Sequence, residues 1–349
     1  MVCQYSGDRM PDQKKVTIKD VARETGLALS TVSNALAGKS MVRPETRAIV
    51  MEAADRLGYR ASIVARSLRA QRSFALGVLI EDVANPSSSA FVRGVEDVAN
   101  AAGCTILLAD TDGSLERQVD AMRALIDRRV DGLVLISQHL EDERVREMLR
   151  GGPPVVLLQR RDPVLDLDYV GSDNVGGVKE AMHFVGRLGH SRVGFVTGPL
   201  GSSSARERLQ TYRETAEELG FRETEELIYH GRYSFDVGLE AANFFAGLRE
   251  PPTCIFASND MNAIGLIQGL SERGLSVPKD ISVVGLDDIA LARIKALDLT
   301  TIRLEKRAMG EEAARLVLRR VAAPQRPTAC VILPTRLIVR GTTAQPRAD

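Results

Sequence analysis

Val16-Thr17-Ile18-Lys19-Asp20-Val21-Ala22-Arg23-Glu24-Thr25-Gly26-Leu27-Ala28-Leu29-Ser30-Thr31-Val32-Ser33-Asn34-Ala35-Leu36-Ala37 reads as two short helices joined at one glycine. Thr17 stands at an N-cap with Asp20 three residues on, and Ile18, Val21 and Ala22 repeat at i, i+3, i+4. Gly26 stops this helix. The second is expected over about residues 28–37, where the spacing buries Leu27, Val32 and Leu36 and leaves Leu29, Ser30, Ser33 and Asn34 on other faces. Two helices joined in this way form a helix-turn-helix. A third begins at Pro44, whose fixed φ suits a first helical position, and adds Val50, Ala53, Ala54 and Leu57 to the same core before Gly58 ends it. An all-α unit over residues 16–61 follows, behind an N-terminal extension, 1–15, expected to be disordered.

Charge singles out the same end. Net formal charge is zero over 349 residues, yet residues 1–73 carry thirteen Lys or Arg against seven Asp or Glu, about +6, leaving about −6 on the rest. That asymmetry fits a basic end meeting a polyanion, although a merely solvated basic surface has the same composition.

Beyond Phe74, short apolar runs alternate with amphipathic helical stretches: Leu76–Ile80, Thr105–Leu108, Gly132–Ile136, Val155–Leu158, Val193–Val196, Cys254–Ala257 and Ile281–Val284. Parallel sheets covered by helices have this pattern. Seven runs over about 270 residues exceed one small sheet and fit two doubly wound α/β subdomains. No stretch approaches the roughly 20 continuous apolar residues of a membrane span. The first residues, Met1 to Asp8, show no apolar run behind a basic cluster, so no membrane and a cytoplasmic location are expected. Cys3, Cys104, Cys254 and Cys330 stand singly and three of them open apolar runs, so they are expected to pack as reduced, structural thiols. Neither a metal nor a cofactor is expected.

The chain resembles the lac repressor and gal repressor family of bacterial transcription regulators. Val16-Thr17-Ile18-Lys19-Asp20-Val21-Ala22, Thr31-Val32-Ser33-Asn34, Pro44-Glu45-Thr46-Arg47 and Leu57-Gly58-Tyr59 carry the likeness at the N-terminus, four signatures in one order. The resemblance implies that the second helix enters the major groove of double-stranded operator DNA, with Thr17, Leu29, Ser30, Thr31, Ser33 and Asn34 at the interface. The chemistry suits the role: Asn bonds adenine bidentately, Ser bonds several bases, and Leu packs on a thymine methyl. The stretch 62–73 is similar to the family's hinge helix, which implies minor-groove roles for Ser62, Ala65 and a wedging Leu68. Arg43 and Ala28 depart from the family at two cap positions, and Ala61 replaces a frequent proline.

The likeness runs on through Asn85-Pro86, Leu188-Gly189-His190, Ala205-Arg206-Glu207-Arg208, Ser258-Asn259-Asp260 and Val283-Val284-Gly285-Leu286-Asp287-Asp288, covering nearly all of residues 16–341. It implies a periplasmic-binding-protein-like sensing and dimerisation core over 74–341. The N-subdomain would be about 74–172 with 303–332, the C-subdomain about 173–302 with 333–341, and 342–349 a tail. A sugar-like effector is then expected in the cleft, held by Glu81, Asn85, Ser87, Ser88, Gln159, Arg208, Tyr233, Asn259, Asp287 and Leu304. Asp287 could instead cap the element after its strand. Gln159 stands where an aspartate is frequent and Lys306 where an aromatic can stack, and an acidic ligand could draw on Arg208 with Arg160 or Lys306, against the charge of Glu81.

Two rival readings have less support in the sequence. An enzyme on this scaffold lacks a Gly-x-Gly-x-x-Gly fingerprint, a phosphate-binding loop and a nucleophile elbow, and Ser276-Val277-Pro278-Lys279 matches Ser-x-x-Lys by chance. A transport-type binding protein would not need the basic helical end. The expectation is therefore a ligand-responsive, non-enzymatic repressor acting as a homodimer, with a small molecule that either releases or recruits it.

Overall fold

Asp20 starts the first helix by closing back on its cap: its carboxylate accepts the Thr17 backbone N–H at 2.9 Å and the Thr17 hydroxyl at 2.7 Å. In the computed structural model, which describes residues 16–36, 40–59, 72–222 and 225–347, this helix is α1 (Ile18–Thr25), followed by α2 (Leu29–Leu36) and α3 (Pro44–Leu57). Gly26 ends α1 at φ 66°, in the left-handed region that a side chain disfavours. Val21, Val32, Ala35, Val42, Val50, Ala53 and Ala54 form the small core where the three helices meet.

The chain divides into two units at Ser73 and Phe74. The second unit holds two six-stranded sheets. Its elements run β1 (Ala75–Ile80), α4 (Pro86–Ala101), β2 (Thr105–Asp110), α5 (Leu115–Asp127), β3 (Gly132–Ile136), α6 (Glu143–Gly151), β4 (Val155–Leu158) and β5 (Asp168–Ser172). Then follow α7 (Asn174–Arg187), β6 (Val193–Val196), α8 (Ser203–Glu218), β7 (Ile228–Tyr229), α9 (Phe235–Ala246), β8 (Cys254–Ala257), α10 (Asp260–Glu272), β9 (Ser282–Asp287) and β10 (Thr300–Leu304). The last are α11 (Lys306–Ala322), β11 (Cys330–Leu333) and β12 (Thr335–Ile338). The first sheet has the order β11-β5-β4-β3-β1-β2 and the second β12-β10-β9-β8-β6-β7.

Period-two alternation sends the strand side chains to both faces, and helices cover each. In the first sheet Leu76, Val78 and Ile80 pack under α4 and α11, while Leu79, Leu133 and Leu157 pack under α5 and α6. In the second, Val193 and Phe195 meet α7 and α8, while Val196, Ile255 and Val283 meet α9 and α10. Gly94 and Gly310 let α4 and α11 cross in backbone contact, since a Cβ at either would overlap a carbonyl of the other helix. Gly238 and Gly265 do the same for α9 and α10.

The chain passes between the sheets three times, after β5, after β10 and after β11. The second passage lies slightly beyond Arg303, because β10 runs to Leu304 and its Arg303 pairs with Asp287 of β9. Five of the described strands lie outside the seven apolar runs of the sequence. β5 opens on Asp168, a fully buried carboxylate gripped by Arg320 (Nε–Oδ2 3.0 Å, Nη2–Oδ1 2.9 Å), and β10 and β12 contain Arg303 and Arg336. Such strands do not read as apolar. The sheets are also not wholly parallel, since β12 runs antiparallel to β10.

Two further expectations are corrected. Residues from 342 on are not simply a tail: Thr342 is buried, its Oγ1 donates to the Val283 carbonyl at 2.7 Å and accepts from Thr300 N–H at 2.9 Å, and the Ala344 carbonyl lies 2.9 Å from His190 Nε2. Cys330 is exposed on β11, an edge strand among the described residues, whereas Cys104 and Cys254 are buried as expected. Among the described residues, no helix is long and apolar enough to cross a membrane, and no group of His, Cys, Asp and Glu could hold a metal ion.

Candidate functional site

In the helical unit, the α2 periodicity puts Leu29, Ser33, Ser30 and Asn34 within about 140° of one another, opposite the buried Val32 and Ala35. Leu29 is 45% exposed, Ser30 is exposed, and Thr31, Ser33 and Asn34 are half-buried; Thr17 is exposed at the start of α1. This face of the second helix therefore carries an apolar group beside hydroxyl and amide groups, the chemical types that base edges accept. Ser62, Ala65 and Leu68 lie outside the described residues.

In the α/β unit the carboxyl ends of β1, β3, β4 and β9 and the starts of α4, α8 and α9 meet around a polar cavity of about 320 Å³ between the two sheet-bearing lobes. This volume lies at the low end of the roughly 300–1,000 Å³ range of small-molecule pockets, at the position where doubly wound sheets bind ligands. Three lining residues at strand ends have positive φ, Ser137 (57°), Gln159 (71°) and Asp287 (132°). Non-glycine backbone of this kind costs about 1–3 kcal/mol per residue and clusters at functional sites.

Nine of the ten cleft residues expected from the sequence line this cavity: Glu81, Asn85, Ser87, Ser88, Gln159, Arg208, Tyr233, Asn259 and Asp287. Leu304 does not. It is buried in the second sheet's core with Val284, Leu286 and Ile302, because an apolar side chain on β10 gains more by packing there than by facing a polar cleft. Residues that sequence reasoning missed are Asp82, Phe91, Asp112, Gly113, Ile136, Ser137, Ser204, Arg232, Ser234 and Asp236. Several directly follow a strand or open a helix, which was the available signal; Phe91 lies one turn after Ser87 on α4.

Arg208 is buried and held rigidly, with Nε donating to Asn174 Oδ1 and Nη1 to the Ser258 carbonyl, both at 2.9 Å, and with its guanidinium 5.9 Å from the Tyr233 ring centroid. Asn174 is fixed in turn by Glu207 Oε2, 2.9 Å from its Nδ2, and Glu207 bonds Arg161 of the other lobe at 2.7 Å. Gly198 leaves space that the Tyr233 ring occupies, and the Tyr233 hydroxyl is buried without a hydrogen-bond partner. Arg160 is not free for a ligand, since its Nη2 bonds both oxygens of Glu81 at 3.0 and 2.9 Å. Lys306 is buried and donates to the Asp287 carbonyl.

Burial pushes the Asp287 carboxyl up, opposed by the charges of Lys306 and Arg208 and by a hydrogen bond from Ser87 across the cleft. Burial, and then the charge of Asp287, push Asp260 up to about 7. Asp260, not Asp287, caps the next turn: its carboxylate accepts from Ile289 N–H at 2.9 Å and from the Thr301 hydroxyl at 2.5 Å. For Asp288 burial raises and three hydrogen bonds lower, from Arg340 (2.6 Å), Arg303 (2.7 Å) and Arg293 (3.1 Å), and the net effect holds it below the ordinary range.

A helix-turn-helix, in one chain with a two-lobed α/β body enclosing a polar cavity, defines a ligand-responsive, DNA-binding regulator of transcription. Residues 17–62 match the family model for bacterial regulatory proteins of the lacI family, and residues 182–343 match that for a periplasmic binding protein-like domain. The HTH-type transcriptional repressor PurR of Photobacterium profundum is 34% identical over 87% of this chain and 92% of its own. Among solved structures, the lac repressor dimer bound to operator and the anti-inducer ONPF has a TM-score of 0.83 at 26% identity, over 95% of this chain and 100% of the other. The transcriptional regulator CelR in complex with cellobiose has a TM-score of 0.72 at 28% identity, over 94% and 99%. The chain belongs to the lacI family of bacterial regulatory proteins.

Proposed function

We propose that this protein is a cytoplasmic repressor without enzymatic activity, which binds a pseudo-palindromic operator as a homodimer and is released or recruited by a small polar effector such as a sugar or sugar derivative. The observation that carries the reading is the cavity: its polar groups come from both lobes, so a bound molecule stabilises one setting of the lobes over another. Thr17, Leu29, Ser30, Thr31, Ser33 and Asn34 serve the major groove, and Ser62, Ala65 and Leu68 the minor groove. Arg208, Asp287, Asn259, Gln159 and Tyr233 hold the effector, with Glu81, Asn85, Ser87 and Ser88 closing over it.

Polar contacts bridge the lobes, among them Arg161–Glu207 (2.7 Å) and Arg206–Glu141 (3.3 Å), and a rotation of the lobes would have to remake them. An effector that favours one lobe setting changes operator affinity by the factor with which operator changes effector affinity. The solved relatives bound to operator or to cellobiose support both halves of the reading. The test is fluorescence anisotropy of the purified protein on fragments of its own upstream region, with and without a metabolite library. Saturable binding that one compound shifts supports it, and indifference to every fragment under every condition ends it.

A further inference from the structure

Four arginines in the lobe of the second sheet gather around one carboxylate. Asp288, whose side chain is buried just after β9, accepts Arg340 Nη2 on Oδ1 at 2.6 Å, and Arg303 Nε and Arg293 Nη2 on Oδ2 at 2.7 and 3.1 Å. The fourth, Arg336 on β12, stands directly opposite Arg303 of β10 in the antiparallel register. Ile302, Leu304 and Leu337, their neighbours along the strands, pack toward α7 and α8, so both arginines project from the other face of the sheet. Residues directly opposite have Cβ atoms about 4.5–5.5 Å apart, and like charges placed there destabilise the pair.

The charges of this cluster do not balance. One carboxylate serves three guanidinium groups, and Arg336 makes no ion pair among the described residues. Asp298, on the loop between β9 and β10, pairs with none of the four, and Glu180 is turned to the Leu337 backbone N–H at 2.9 Å. Arg303 and Arg293 each spend one nitrogen on Asp288, so both keep N–H groups without a partner among the described residues. The cluster is also sheltered on one side, with the Arg340 side chain 13% and the Arg303 side chain 30% exposed, and partly buried charge is screened less by salt than charge on an open surface. None of the four arginines lines the cavity between the lobes.

We infer that this cluster is a second ligand site, taking a phosphate-class dianion across β10 and β12 between Arg303, Arg336 and Arg293. Guanidinium groups meet phosphate oxygens with parallel N–H bonds. Donors that arrive from three separate chain segments suit an anion with two charges and three or more terminal oxygens better than a planar carboxylate. Asp288 does not repel it, because three cations already outweigh that single charge. The site is independent of the effector reading. β10 leads into the second passage between the lobes and β12 follows the third, so a bound anion braces two of the crossings at their ends in this lobe.

The experiment is thermal unfolding and calorimetry of the full chain with rising inorganic phosphate, chloride being adjusted to hold ionic strength constant. Phosphate also stabilises proteins unspecifically by exclusion from their surface, so Arg336→Gln and Arg303→Gln carry the decision. In chloride alone Arg336→Gln is expected to be at least as stable as wild type, since it removes a like-charge pair. Phosphate should then raise the Tm of wild type saturably and put it ahead, with phosphate affinity at least about tenfold weaker in either variant. Glycerol 3-phosphate against glycerol separates the sources: binding at least as tight as that of inorganic phosphate supports the site with a phosphorylated metabolite as its ligand, and weaker binding supports it with the free ion. A response that does not saturate, or that both variants share with wild type, overturns the inference, as does malonate binding as tightly as phosphate. Weaker operator binding by Arg336→Gln, with no phosphate response in wild type, overturns it too and assigns the cluster to the DNA backbone.

Discussion

Asn174 Oδ1 accepts the Nε–H of Arg208 at 2.9 Å, and through this bond the first residue of α7 orients the arginine that faces the cavity. Asn174 sits immediately after the chain first passes from one sheet to the other, and Glu207, which holds its amide, is tied to Arg161 across the lobes. A chain of bonds thus runs from Arg208 through Asn174 and Glu207 to Arg161 of the other lobe.

Arg208→Ala is expected to abolish the effector response while operator binding without effector stays within about twofold of wild type. Charge-assisted hydrogen bonds of this kind contribute about 1.5–3 kcal/mol, so effector affinity should fall roughly 10- to 150-fold. Asn174→Ala leaves the guanidinium in place but unaimed, and a smaller loss in the same direction is expected. Calorimetry with the identified effector checks both, and an unimpaired Arg208→Ala variant removes that residue from the site.

On the helical unit, Asn34→Ala should weaken operator binding by about 1–3 kcal/mol and relax base preference at one position of each half-site. Anisotropy titrations on operator variants would show it. The logarithm of affinity should also fall steeply with the logarithm of salt, since each phosphate contact releases counterions; a flat dependence would contradict groove binding.

Leu68→Ala is expected to lower operator affinity about tenfold or more while effector affinity in the absence of DNA is unchanged, as for an apolar wedge between base steps. Equal operator affinity for variant and wild type would refute the wedge.

The buried Asp260 makes stability depend on pH in a definite direction. Its carboxyl is raised from 3.8 to about 7, so between these values the native state binds the proton more strongly than the unfolded chain. Its contribution is fully present below about pH 4 and is lost as pH rises through about 7. Asp260→Asn keeps an acceptor for Ile289 N–H and removes the titration, so urea unfolding should show a flatter dependence from pH 5 to 8 and a relative gain of stability at pH 8. A variant as pH-sensitive as wild type would assign the effect elsewhere.

The amino-acid sequence by itself determined the helical unit, because its cap at Thr17, its stop at Gly26 and its apolar spacing are local signals that contacts inside some forty residues satisfy. It also determined the doubly wound class and nine of the nineteen residues of the cavity wall, since strand ends in such sheets face one side. Only the tertiary structure decided which way a side chain on a non-apolar strand points: Leu304 packs inward on β10, and the Asp168 carboxylate that opens β5 can be buried because Arg320, 152 residues away, pairs with it. The same holds for charge in the cleft. Arg160 and Lys306 read as free cations along the chain, and only the fold brings Arg160 at the end of β4 against Glu81 at the end of β1, and Lys306 of one lobe against the Asp287 carbonyl of the other, where a buried cation without a hydrogen-bond partner would be costly.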